Sequence, residues 1–164
     1  MFRAKTVLVI GAGASAEVGL PMGPQLLQQI VQLTNMTFDY NQLRTGDHVI
    51  LKALKLCLGE GREVVKINEH LKAAWQLGAS AKQALSIDNV IDALEDPQVE
   101  LIGKLGIVRS ILKAEASSPH FKRVNNMKDT FDSSKFEDSW YSSLTKILTE
   151  GIKKSQIGNL FDNL

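Results

Sequence analysis

The chain has 164 residues, 44% of them hydrophobic and 23% charged, with a formal net charge of +1. That length is enough to bury a core, and the near balance of charge gives no electrostatic case for nucleic acid or an anionic membrane as a partner. No apolar run approaches the roughly 20 residues of a membrane-spanning helix and no secretory signal precedes the first apolar run, so the cytoplasm is the expected compartment.

The first element is carried by Val7, Leu8, Val9 and Ile10. Four apolar residues without polar alternation fit a parallel strand covered on both faces, which would be central in its sheet. Gly11 and Gly13 follow at once, and without a Cβ the backbone there can turn sharply and come within hydrogen-bonding distance of a pyrophosphate. A helix opening near Ala14 and Ser15 would add unpaired N–H groups, with Ala16 in the close-packing place of the dinucleotide fingerprint and Ser15 as phosphate ligand or N-cap. The same small residues also serve tight strand-to-helix turns that bind nothing. The dehydrogenase fingerprint further requires an acidic residue about twenty positions on, at the end of a second strand. Asp39 has the distance, but Met36-Thr-Phe-Asp-Tyr-Asn has no apolar run before it. Gly19-Leu-Pro21 interrupts the first helix, and Pro21 or Pro24 can start the next.

Beyond residue 24 the apolar spacing is helical in one segment after another. Leu26, Leu27, Ile30, Val31 and Leu33 mark one helix; Ile50, Leu51, Leu54 and Leu58 a second, ending at Gly59-Glu-Gly61. Val64, Ile67, Leu71, Ala74 and Trp75 mark a third that ends near Gly78. Cys57, the single cysteine, lies among leucines and reads as a buried small hydrophobe that cannot form an internal disulfide. Ile87, Val90, Ile91 and Leu94 give a short helix stopped before Pro97. Leu101, Ile102, Leu105, Val108 and Leu112 give a long one, broken by Ser117-Ser-Pro119. A polar stretch from about Ser118 to Ser139 reads as a long loop, and Trp140, Leu144, Ile147, Leu148 and Ile152 mark a last helix. Weaker strands could lie at Ile107-Val108 or Gln156–Phe161. The expected fold is α/β and Rossmann-like, mostly helical in this chain; since one strong strand cannot make a sheet, either these weaker strands complete it or, the favoured reading, the chain is an incomplete, amino-terminal piece.

Gly11, Ala12, Gly13, Ser15, Gly19, Leu20 and Pro21 together resemble the sirtuin-like NAD-binding proteins, whose first strand is followed by Gly-Ala-Gly-x-Ser-x-x-x-Gly, an apolar residue and proline. The match spans residues 7–23. Deacylase sirtuins continue with Asp-Phe-Arg, whereas Met22-Gly-Pro-Gln-Leu-Leu stands here, and one cysteine excludes their four-cysteine zinc module. Both departures resemble the divergent prokaryotic branch that hydrolyses NAD, often in anti-phage defence; Ser86-Ile-Asp-Asn is similar to a segment of that branch. The resemblance implies NAD as substrate or ligand and no zinc. It also implies a site formed by Gly11, Ala12, Gly13, Ala14, Ser15, Gly19, Leu20 and Pro21, with Asp88 and Asn89 on the nicotinamide-ribose side. It divides the chain into the strand, glycine loop and first helices (1–35), a helical subdomain (36–117), a polar loop (118–139), and a helix that begins the return to the sheet (140–164).

Read without the resemblance, Ser86, or Asp88 with Asn89, is a helix cap. His48, His70 and His120 have no ligand spacing, Ser15 lacks the Gly-x-Ser-x-Gly elbow, and no Gly-Lys-Ser/Thr follows the loop. Glu17 reads as a solvated helix residue, and Trp75, Trp140 and Tyr141 as core or interface. No catalytic residue is assigned, and the chain alone is expected to be inactive or nearly so. The alternative is a non-catalytic module that binds NAD or ADP-ribose, or an assembly domain whose helices pack on a partner protein or a second copy.

Overall fold

The computed structural model describes residues 7, 9–59, 63–118 and 138–150, with the backbone alone for 63–65. In chain order they form α1 (Ala12–Ala16), α2 (Gly23–Thr34), β1 (Thr37–Asp39), β2 (Gln42–Thr45), α3 (His48–Leu58), α4 (Glu63–Ser80), a 3-10 turn (Ala81–Gln83), α5 (Ile87–Leu94), α6 (Pro97–Ser117) and α7 (Trp140–Thr149). The described residues are mostly helical, with one small antiparallel sheet of two strands among them.

Helices α2, α3, α5 and α6 start where a local signal permits. Pro24 occupies the first turn of α2, where its missing N–H costs nothing, and the backbone N–H of Met22 donates to Gln25 Oε1 at 3.3 Å. Asp47 caps α3 by accepting from the N–H groups of Val49 and Ile50, Ser86 caps α5 by accepting from Asn89 N, and Asp96 caps α6 ahead of Pro97. Helix α5 ends at Glu95 in the left-handed conformation (φ 47°), and α4 runs past Gly78 to Ser80.

The bundle is organised around α6, which packs on α2, α3, α4 and α5. Ile30, Leu54, Leu77, Val99 and Ile102 are fully buried between these helices. Each such side chain contributes about 1.5–3 kcal/mol relative to exposure. A second cluster of Met36, Ile50 and Leu71 closes the end beside the hairpin. Gly106 lets α6 approach α2: a Cβ there would stand 2.7 Å from Ile30 Cγ2. Cys57 is exposed, contrary to the expectation of a buried thiol. The buried stripe of α3 runs through Ile50 and Leu54, and Cys57 falls off it, as does Leu56 at 75% exposure.

The strand expected at the amino terminus is not formed by the residues described there. Val7, Val9 and Ile10 carry no strand pairing and are 86%, 93% and 58% exposed. A strand exists by pairing its N–H and C=O groups with a neighbour, and the described residues offer this segment none. The strand pair that does form, β1 and β2, sits inside the segment read as helical subdomain. Its two-residue turn, Tyr40 and Asn41, has positive φ at both positions (45° and 64°), the geometry that matches the strand twist. The weaker strand considered at Ile107-Val108 is interior to α6. The polar stretch at 119–137, His120, Ile152 and Gln156–Phe161 lie outside the described residues.

Candidate functional site

Two clefts receive residues of the glycine segment. The first, of about 520 Å³, is lined by Val9, Ile10, Gly11, Gly13, Ala14, Glu17 and Trp140. Its floor is the start of α1, which opens at Ala12, earlier than the expected opening near Ala14 and Ser15. Gly11 is the N-cap and no side chain caps the helix, so Ser15 is not its N-cap. Ser15 lies inside α1, and its carbonyl accepts from Val18 N (3.2 Å) and Leu20 N (3.1 Å), holding the turn that follows.

The two glycines of this cleft need no special backbone geometry. Gly11 has φ −90°, and the glycines with positive φ are Gly19, Gly46 and Gly59. A Cβ added to Gly11 or Gly13 would meet nothing within 4 Å. Neither packing nor conformation within the described residues therefore calls for glycine at either place, and alanine would favour a helix by up to about 1 kcal/mol at position 13. The missing Cβ leaves the backbone at the mouth of α1 uncovered on the cleft side.

The wall of the cleft comes from α7. Trp140 Nε1 donates to Ala14 O at 3.1 Å, and the Trp140 backbone N–H donates to Glu17 Oε2 at 2.9 Å. Ser139 caps the same helix end by accepting from Ser142 N. Glu17, expected as a solvated helix residue, thus places a carboxylate at the N-terminus of α7, where a negative charge is favourable. The indole presents an aromatic wall beside Gly13, and Tyr141 meets it edge to face with 6.1 Å between ring centroids. The link spans more than 120 residues of chain, and no local pattern in the sequence could have announced it.

The second cleft, of about 380 Å³, lies between α2 and α6 and includes Gly19. Ser118 Oγ donates to Val18 O at 2.6 Å, tying the end of α6 to the turn after α1. Deeper in the bundle, Asp47 joins its capping bonds to an ion pair with Arg109, whose Nε donates to both carboxylate oxygens at 3.0 and 3.1 Å. Lys113 Nζ stands 4.0 Å from the same carboxylate. Burial alone would push the Asp47 carboxyl up; the hydrogen bond from Arg109 and those from Ile50 and Val49, with the Arg109 charge, outweigh it and hold the group below its usual value.

The residues singled out from the sequence separate in space. Gly11, Gly13 and Ala14 line the first cleft and Gly19 the second; Ala12, Ser15, Leu20 and Pro21 line neither. Asp88 and Asn89 are exposed on α5, line neither cleft, and Asn89 Oδ1 accepts from Ser86 Oγ at 2.9 Å. Trp75, half exposed, donates from Nε1 to Met36 O at 3.3 Å. Searches of family models, curated proteins and solved structures found no match to this chain.

Proposed function

We propose that the protein binds NAD or ADP-ribose through the glycine loop, as the phosphate-binding part of a sirtuin-like NAD hydrolase. The observation that carries this reading is the pair Gly11 and Gly13: both open onto a cleft, and neither is required to be glycine by packing or by φ. In this reading the N–H groups at the start of α1 meet the pyrophosphate, and hydrogen bonds to a charged group contribute about 1.5–3 kcal/mol each. Trp140 supplies a flat apolar surface for a ring or ribose face, and Glu17 keeps its capping bond to α7 while its second oxygen faces sugar hydroxyls. The Rossmann-like sheet belongs to the same proposal, with the exposed Val7, Val9 and Ile10 as its strand; a run this apolar calls for cover.

The reaction that fits the resemblance is addition of water to C1′ of the nicotinamide ribose as the glycosidic C–N bond breaks, giving ADP-ribose, nicotinamide and a proton. Its oxocarbenium-like transition state needs a stabilising polar group and a base. Among the described residues, Glu17 is the only ionisable side chain lining the first cleft. Binding is therefore the part of the function with local support, and the non-catalytic module for NAD or ADP-ribose is the second reading. Calorimetric titration with NAD and with ADP-ribose, with nicotinamide assayed in the same samples, tests both. Binding without nicotinamide release is expected of this chain under either reading; release would place catalytic groups on the chain itself and exclude the non-catalytic module; absence of binding to either ligand removes both.

A further inference from the structure

The cleft between α2 and α6 has a feature that the glycine loop does not explain. Ser110 is 1% exposed, lines this cleft, and its Oγ has no hydrogen-bond partner among the described residues. A buried hydroxyl without a partner is costly, and such a group at a cleft wall calls for an external one. The neighbouring lining residues share its chemistry. Ser110, Lys113 and Ser117 follow one face of α6 at spacings of three and four, and Gln29 and Gln32 face them from α2. Ser117 Oγ spends its proton on the carbonyls of Lys113 and Ala114, which leaves its oxygen able to accept.

The charge at this wall is in surplus. Asp47 is already held by both carboxylate oxygens on Arg109, so one carboxylate faces two cations, and Lys113, at the longer distance of 4.0 Å and half exposed, is the one with charge to share. A cleft of about 380 Å³ that offers one ammonium, hydroxyls and amide groups is too roomy for a bare ion and suits a small polyhydroxylated anion. We infer that Ser110 and Lys113 form a second ligand site, distinct from the glycine-loop cleft, that takes a phosphate monoester of sugar size, with Gln29 and Gln32 hydrogen-bonding its hydroxyls.

The site shares no lining residue with the first cleft, so its test is independent of NAD binding. The probes are ribose 5-phosphate, inorganic phosphate and ribose, titrated into the intact chain and followed by amide chemical shifts. The inference predicts saturable shifts on α2 and α6 with ribose 5-phosphate, weaker ones with phosphate and none with ribose. Lys113→Gln should weaken ribose 5-phosphate at least about tenfold and Ser110→Ala several-fold, the loss of one charged and one neutral hydrogen-bonding group. Ser110→Ala should not lower the melting temperature, because it removes an unsatisfied hydroxyl, and Gly13→Val should leave ribose 5-phosphate affinity unchanged. Equal affinity for the parent and both cleft variants, or no saturable shift at millimolar probe, overturns the site. So does a matching loss of NAD affinity in Lys113→Gln, which would make the cleft a part of the dinucleotide site.

Discussion

The fold requires glycine at Gly46, whereas at Gly13 an added Cβ would meet nothing within 4 Å. Gly46 stands at φ 91°, and a Cβ there would come within 2.6 Å of Met36 Cγ and 3.1 Å of the Met36 backbone. Gly46→Ala should therefore lose about 2 kcal/mol, the sum of a left-handed backbone and a contact that cannot relax, read as a lower urea midpoint at unchanged slope. Asp47, next in the chain, couples pH to stability. Its folded carboxyl titrates below the ordinary value of 3.8, so its stabilisation is complete above that value and is lost as pH falls through the lower folded one. Asp47→Asn keeps a capping oxygen but loses the charge facing Arg109, and should be less stable by about 1–3 kcal/mol at pH 7. The gap should begin to narrow as pH falls through 3.8, where the unfolded chain takes up the proton, and close below the lower folded value; a gap independent of pH would deny the pair its role. The glycine motif was legible in the sequence because its residues are contiguous. The Asp47–Arg109 pair, 62 residues apart, and the unpartnered Ser110 were not, since each depends on how α6 lies against its neighbours.

Among elements, apolar spacing located the helices of the bundle well, because α2, α3 and α5 each bury one stripe against α6 and α4, and a stripe is what periodicity records. It failed for the hairpin. β1 and β2 are three and four residues long, mostly exposed, and their Tyr40-Asn41 turn lacks the glycine that usually signals such a bend. The first strand is a different case: an apolar run specifies a strand only together with partners, and Val7, Val9 and Ile10 have none among the described residues. The two buried glycines of α6 give a test of packing. At Gly106 an added Cβ meets Ile30 Cγ2 at 2.7 Å, a β-branch methyl with no freedom to swing away, whereas at Gly103 it meets the terminal Cδ1 of Ile91 at 2.9 Å. Alanine at either site gains up to about 1 kcal/mol of helix propensity, against an overpacking cost of about 1–3 kcal/mol where the neighbour cannot move. Gly106→Ala should thus lower the melting temperature and Gly103→Ala leave it level or raised; the reverse order would mean that α2 and α6 are less closely packed than described here.

At the scale of the molecule, residues of the glycine segment enter two clefts, one beside α7 and one between α2 and α6. Ser118 fastens the end of α6 to Val18, and Trp140 with Glu17 fastens α7 to α1, so the glycine turn is held from both sides by residues remote in sequence. The mostly helical character was legible from the chain; the sheet expected from the resemblance is not among the described residues, and the NAD reading stands on the glycine cleft alone. If a ligand is admitted at Gly11 and Gly13, as proposed, a β-branched side chain at position 13 must exclude it. The measurement that tests this most directly is calorimetric titration of NAD and ADP-ribose into the parent and Gly13→Val, with thermal unfolding run on both. The account predicts equal or slightly higher stability for the variant, because its side chain enters open space, together with binding in the parent that the variant loses. Equal binding by both proteins, or none by the parent, would contradict it.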